Sequence, residues 1–263
     1  VNEQLGLSFS GNYHHNDGFF TNLHTHKKAD KLDNGAGRIG LTWKPAAHWT
    51  TRFITSYEYS NQGGYPYGLY NADKGTTEAV NYNNEGLYRR NLLTSGINIR
   101  YDGPHISFNS QTSYQYIQDK MGIDQDFSPR NIFYGQNKIR QHMYCQEFTV
   151  KSVNKSRYHW ITGAFVFRQT INRKVDLSRF TDTTRHLTNS GIPTQGIAFY
   201  HQSTLDLLQG LSCSVGLRYD YEHARCDFSK VQQPLNGNGE TKSLEQFNRS
   251  LHFGQFTPRF SMQ

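Results

Sequence analysis

The residues whose types and spacing suit chemistry crowd into residues 61–90, NQGGYPYGLYNADKGTTEAVNYNNEGLYRR. Tyr65, Tyr67, Tyr70, Tyr82 and Tyr88 stand there beside Arg89 and Arg90. Tyrosine rings pack on the planar groups of a ligand, and guanidinium groups hold an anion through charge-assisted hydrogen bonds. The segment is therefore a candidate ligand-binding loop. A purely structural use fits the same residues, with the tyrosines packing the loop on its neighbours and the arginines facing water.

Other groupings carry less. His14 with His15, and His24 with His26, are spaced as partial metal sites, but a third ligand in fixed geometry is not supplied by spacing, so surface histidines and no bound metal are expected. Asp119, Asp124 and Asp126 have the charge for calcium and lack the glycine and closing glutamate of an EF-hand loop; they read as solvated, turn-forming acids. Cys145, Cys213 and Cys226 form no CxxC, and one strand running through Cys213 and Cys226 keeps that pair apart. There is no nucleophile elbow, phosphate-binding loop or pair of catalytic carboxylates, which argues against an enzyme and against a cofactor, with a barrel lipase or protease as the minor alternative.

Bulk properties narrow the class. The 263 residues carry 28 Lys and Arg against 21 Asp and Glu, a net charge of +7, but the basic residues are scattered and no run of them suits nucleic acid. A mean hydropathy of −0.77, with no apolar run long enough for a helix to cross a bilayer, excludes helical membrane spans. With no initiator Met, a strand starting almost at Val1 and another running to Gln263, the chain reads as an excerpt.

The elements that must position the loop residues are strands. Ile39, Leu41 and Trp43 alternate with Arg38, Gly40, Thr42 and Lys44; after the turn KPAAH, Trp49, Thr51, Phe53, Thr55, Tyr57 and Tyr59 alternate with Thr50, Arg52, Ser56 and Glu58, Ile54 being the exception. A period of two over this length is a pleated strand with one apolar and one wet face. From Trp49 to Tyr57 a tilted strand climbs roughly 20 Å, close to the apolar band of about 25 Å between the aromatic girdles of an outer-membrane barrel. The hairpin reads as lipid-spanning, and the arginines of residues 61–90 then face water or lipopolysaccharide phosphates in the structural reading.

The same pattern predicts ten strands, at 3–14, 38–44, 49–60, 91–101, 105–117, 138–152, 158–170, 195–207, 211–228 and 248–263. Their connections alternate strictly between long and short, the rhythm of a barrel with long extracellular loops and short periplasmic turns. The expected fold is all-β, an antiparallel transmembrane β-barrel in part. Arg52, Glu58, Arg100, Glu147, Lys151, Arg218 and Asp220 fall on the wet face and are expected to face the lumen. A soluble all-β binding module, with the aromatics buried against a second sheet, is the competing class.

Six segments carry a family resemblance: NDGFFTN at Asn16–Asn22, GRIGLTWKP at Gly37–Pro45, DQDFSP at Asp124–Pro129, QEFTVKS at Gln146–Ser152, GLRYDYE at Gly216–Glu222 and PRFS at Pro258–Ser261. In this order they resemble barrel segments of TonB-dependent outer-membrane receptors of the iron-chelate type, siderophore receptors above all. The resemblance implies that residues 1–263 are part of a barrel of 22 strands, that an amino-terminal plug lies outside this chain, and that the lumen charges line the wall where that plug docks. It also implies import of an iron–siderophore or similar chelate across the outer membrane of a Gram-negative cell, driven by the TonB–ExbB–ExbD complex, with outer-membrane lipid around the wall. A SusC-like carbohydrate importer and a passive porin-type barrel are the alternatives.

Overall fold

A computed structural model describes residues 3–263; Val1, where the chain reads as cut, lies outside the described residues. Ten strands form one antiparallel sheet, each paired with its neighbour in the chain: β1 (Leu5–Asn16), β2 (Leu32–Trp43), β3 (Trp49–Gln62), β6 (Leu87–Asp102), β7 (Ile106–Asp124), β8 (Phe133–Ser152), β9 (Tyr158–Arg179), β10 (Thr184–Leu208), β11 (Leu211–Pro234) and β12 (Lys242–Met262). Two-residue strands β4 (Tyr70–Asn71) and β5 (Thr76–Thr77) make a separate small ribbon. This is the all-β antiparallel architecture expected, with ten strands in the expected order.

Register carries the period of two across the whole sheet. Leu7 lies opposite Leu41, Leu41 opposite Phe53, Phe53 opposite Ile97, and farther on Val166 opposite Ile197, Ile197 opposite Tyr221, so most apolar strand residues share one face, with Ile54, Ile161, Phe165 and Phe167 on the other. That face has no protein over it: Phe9 is 78% exposed, Val215 56% and Phe260 68%. A sandwich would bury these side chains between two layers. Instead the sheet is a single layer with its apolar side uncovered, the arrangement of a barrel wall.

Aromatics close this band at both ends. Trp43, Trp49 and Tyr101 stand at the short-turn end, where the Trp49 and Tyr101 rings lie 4.9 Å apart. Tyr57 and Tyr59, with Tyr114 and Tyr144 in contact at 4.7 Å, stand toward the other. The tightest turn, residues 209–210, closes because Gly210 takes a φ of 85°, a conformation open to glycine without a Cβ penalty. On the polar face the Tyr200 ring covers Gly163, its partner in register, and leaves no room for a side chain there. Its hydroxyl meets Thr149 Oγ1 at 2.9 Å and Glu147 Oε1 at 3.0 Å.

One expectation is corrected. The connections expected at 118–137, 172–193 and 229–246 are mostly strand, since β7 runs to Asp124, β9 to Arg179 and β11 to Pro234, and β10 reaches 25 residues. The strict alternation of loop lengths therefore fails at 180–183, a connection as tight as those at the opposite end. Beyond the aromatic band both faces are wet, as Asn172, Arg173 and Lys174 or Thr188, Asn189 and Ser190 show, so hydrophobic periodicity vanishes while the backbone ladder, indifferent to side-chain polarity, continues.

With Phe53 in the middle of the apolar face, Phe53→Arg is expected to lower the folding free energy into lipid bilayers by about 2 to 4 kcal/mol, whereas Arg52→Ala on the polar face stays within about 0.5 kcal/mol. Reversible folding of the complete barrel into vesicles measures both. Equal losses at the two positions would contradict the assigned faces.

Candidate functional site

At the end of the sheet with long connections, residues 17–31, 63–86 and 125–132 lock into one body. Asn22, 2% exposed, donates from Nδ2 to the Tyr82 carbonyl at 2.8 Å, while its Oδ1 accepts from the amides of Tyr82 at 3.2 Å and His24 at 3.0 Å. One short amide side chain thus serves as an extra piece of backbone between two loops. The Leu23 amide donates to the Val80 carbonyl and the Gly63 amide to the Lys31 carbonyl, both at 2.9 Å. Ala29, Val80 and Tyr82 form a small apolar core beneath. Lys27 and Glu85 add a surface ion pair at 2.8 Å.

The third loop is organised by the acids. Asp124, 2% exposed, accepts from the amides of Asn84, Asp126 and Phe127, and Asp126 accepts from the amides of Ser128, Ile132 and Phe133. Burial pushes the Asp124 carboxyl above its ordinary pKa, partly offset by the Asn84 amide. Asp124 is a buried and Asp126 a half-buried turn-builder, not the solvated acids expected, because their chain neighbours fold back to donate to them. The third acid, Asp119, is held by Arg90, whose Nε and Nη2 reach its two oxygens at 2.9 and 2.8 Å.

This assembly separates the expected loop residues into three groups. Tyr65 (52% exposed), Tyr67 and Tyr70 lie open, with Tyr65 and Tyr67 rings 5.7 Å apart and Tyr67 5.2 Å from Phe127. Tyr82 is buried in the loop core with its hydroxyl unpartnered, and burial raises that hydroxyl's pKa. Tyr88, Arg89 and Arg90 sit on β6. Tyr88 and Arg90 share the polar face with Asp119, while Arg89 points to the opposite face and donates to Asn61 Oδ1 at 3.1 Å. Two successive strand residues cannot approach one ligand, and the charge of Arg90 is already matched.

Phe127, with a φ of 51°, joins the exposed tyrosines, and Phe19, Phe20 and Leu69 are exposed on the same loops. None of these stood out from residue type and spacing, although NDGFFTN and DQDFSP contain three of them. The seven wet-face charges, Lys151 included, fall by register on one face of the sheet, opposite Phe53 and Val215. There Glu58 accepts from Asn34 at 3.2 Å, Arg100 binds Asp102 and Arg218 binds Asp220, both at 2.7 Å, Glu147 holds Tyr200, and Arg52 has no partner among the described residues. His15 is engaged by Asp33 at 2.7 Å and Asp17 at 2.9 Å. Cys145, Cys213 and Cys226 are free thiols.

No family model matches this chain. Among solved structures it is similar to the ferric yersiniabactin uptake receptor FyuA from Yersinia pestis, at 15% identity and a TM-score of 0.72 over 97% of this chain and 39% of that one. It is similar also to the open form of the ferric-catecholate import receptor Fiu from E. coli K12, at 9% identity, TM-score 0.68, over 98% of this chain and 48% of that one. The unliganded ferric citrate transporter FecA matches at 12% identity, TM-score 0.67, over 100% of this chain and 37% of that one. The chain spans less than half the length of each. It has the fold of part of a TonB-dependent receptor barrel, the outer-membrane β-barrel fold of transport receptors.

Two outcomes test this loop body. Asn22→Ala leaves the Tyr82 backbone groups unpaired and is expected to cost about 1 to 3 kcal/mol of local stability, read as faster amide exchange over residues 80–85 with the sheet unaffected. The hydrogen bond from His15 holds the Asp33 carboxyl below its ordinary 3.8, a contribution present above that pH and lost as pH falls; the bonds to Asp33 and Asp17 raise His15 above 6.5, a contribution present below that pH and lost as pH rises. Intrinsic-rate-corrected amide protection at residues 17–31 is therefore expected to peak between pH 3.8 and 6.5. A flat profile would contradict this pairing.

Proposed function

We propose that this chain is an arc of an outer-membrane receptor that imports an iron–siderophore or similar metal chelate into a Gram-negative cell, energised through a plug by the TonB–ExbB–ExbD complex. The observation that carries the reading is the single-layer meander with one uncovered apolar face, capped at one end by an ordered loop body that exposes aromatic rings. Ferric chelates are the substrates named for the three similar receptors, which supports this cargo over others.

In this reading Tyr65, Tyr67 and Tyr70 meet the chelate. Their loop is pre-ordered by Asn22 and Asp124, so little conformational entropy is lost when a ligand arrives. Tyr82, Tyr88, Arg89 and Arg90 act indirectly, by packing the loop and anchoring its strand. The polar face with Arg52, Glu58, Arg100, Glu147, Arg218 and Asp220 lines the lumen, where plain bonding between wall and plug accounts for the charges.

Uptake of radioactive iron supplied as ferric citrate or as a ferric catecholate, by cells carrying the complete protein, tests the proposal. Accumulation is expected to stop when a protonophore removes the energy supply. Tyr65→Ala with Tyr67→Ala is expected to weaken chelate binding about tenfold, the loss of roughly 1.4 kcal/mol of ring contact. Accumulation of neither chelate, or accumulation indifferent to the protonophore, would overturn it.

A further inference from the structure

Most histidines of the sheet that make a side-chain bond are held by an acid or a hydroxyl alone: His15 by Asp33 and Asp17, His142 by Tyr114, His159 by Asp206 at 3.5 Å, His201 by Ser203 at 3.0 Å. One pair of imidazole rings among the described residues touches. His223 of β11 lies directly opposite His252 of β12, with ring centroids 4.5 Å apart and planes 17° from parallel. His14 and His15, neighbours in the chain, stand on opposite faces of β1 and cannot converge on one ion. Register does for His223 and His252 what sequence spacing did not.

His223 is in phase with Val215 and Tyr221, so the pair stands on the face of the apolar residues, about 7 Å of strand past Tyr221 and beyond the band. Water reaches it there: His252 is exposed and His223 half-buried. The nearest cation in phase, Arg225, is matched by Asp227 at 2.7 Å, so it does not repel a bound metal with an uncompensated charge.

The ring nitrogens suit a metal. Tyr221 Oη lies 3.0 Å from Nδ1 of His252; when Nδ1–H donates to that oxygen, Nε2 keeps its lone pair and the ring is held in orientation. Neither nitrogen of His223 has a hydrogen-bond partner among the described residues. Directly opposed strand residues hold their Cβ atoms about 4.5 to 5.5 Å apart, and two imidazole nitrogens on one ion stand roughly 3 Å apart, a difference that small ring tilts close. No group of three such ligands forms among the described residues, so water fills the remaining positions.

We propose that His223 and His252 bind one borderline divalent cation of the Cu²⁺ and Zn²⁺ class, which clips β11 to β12 above the apolar band. Imidazole suits both ions, with Cu²⁺ the tighter. Tyr221 is a positioning residue. The inference stands whatever solute the barrel carries.

Cu²⁺ titration of the complete barrel in detergent, purified without a histidine tag and followed by electron paramagnetic resonance, tests the site. One Cu²⁺ with two coordinated nitrogens is expected. Tyr221→Phe is expected to keep both nitrogens and weaken binding about tenfold. His223→Ala and His252→Ala each remove one nitrogen and weaken it further, and His201→Ala changes nothing. Bound Cu²⁺ is also expected to raise the temperature at which folded gel mobility is lost, in the parent and in neither variant that lacks His223 or His252. No Cu²⁺ on the parent, a one-nitrogen signal, or equal binding by the parent and either of those two variants would overturn the proposal, the last by showing an adventitious ion only. Equal affinity of the parent and Tyr221→Phe would overturn the role given to Tyr221. Gel mobility without metal reads barrel formation separately, so a variant that fails to fold is distinguished from one that fails to bind.

Discussion

A sheet one layer thick, greasy on one side and wet on the other, has to satisfy its backbone laterally and its apolar face outside the protein. The eight inner strands of the large sheet, β2, β3 and β6 to β11, are each paired on both sides, so most of their backbone donors and acceptors find partners within the ladder. The outer edges of β1 and β12 are the exceptions. In hydrocarbon each unpaired group there would cost several kcal/mol, so further strands have to close the wall before it can stand in a membrane. A single layer also has no second layer to bury its apolar face, and the few buried apolar side chains among the described residues sit mostly in the loop body.

Above the band the physics changes, and so does the structure. The strands of the first half hand over to loops soon after their tyrosines, and those loops are tied together by Asn22, Asp124 and Asp126 acting in place of backbone. The strands of the second half run on as a wet ladder, with polar pairs such as Asn189 beside Lys174. One end therefore carries an ordered surface of exposed aromatic rings.

The sequence was legible wherever one face was greasy. Leu5, Leu7 and Phe9, or Trp49 through Tyr59, announce strands because alternation has no other use there, and the short turns at 44–48 and 103–105 follow directly. Parts of the upper halves of β9 and β10 were illegible for the complementary reason: residues 172–174 and 188–190 put polar side chains on both faces, and only backbone pairing says they are strand. Among the site residues, the exposure of Tyr65, Tyr67 and Tyr70 was foreseeable from their setting. The burial of Tyr82 was not, since it depends on Asn22, far away in the chain, and the pairing of Arg90 with Asp119 depends on a register that type and spacing do not state.

The account depends on alternate residues of a strand meeting different solvents, and quenching measures that most directly. An environment-sensitive fluorophore is placed singly along residues 213–222 of β11 in the complete barrel, in a background where the native cysteines are replaced. Brominated lipid is expected to quench at Cys213, Val215, Leu217, Tyr219 and Tyr221, and an aqueous quencher at Ser214, Gly216, Arg218, Asp220 and Glu222. Quenching by lipid at every position, or at none, would contradict it.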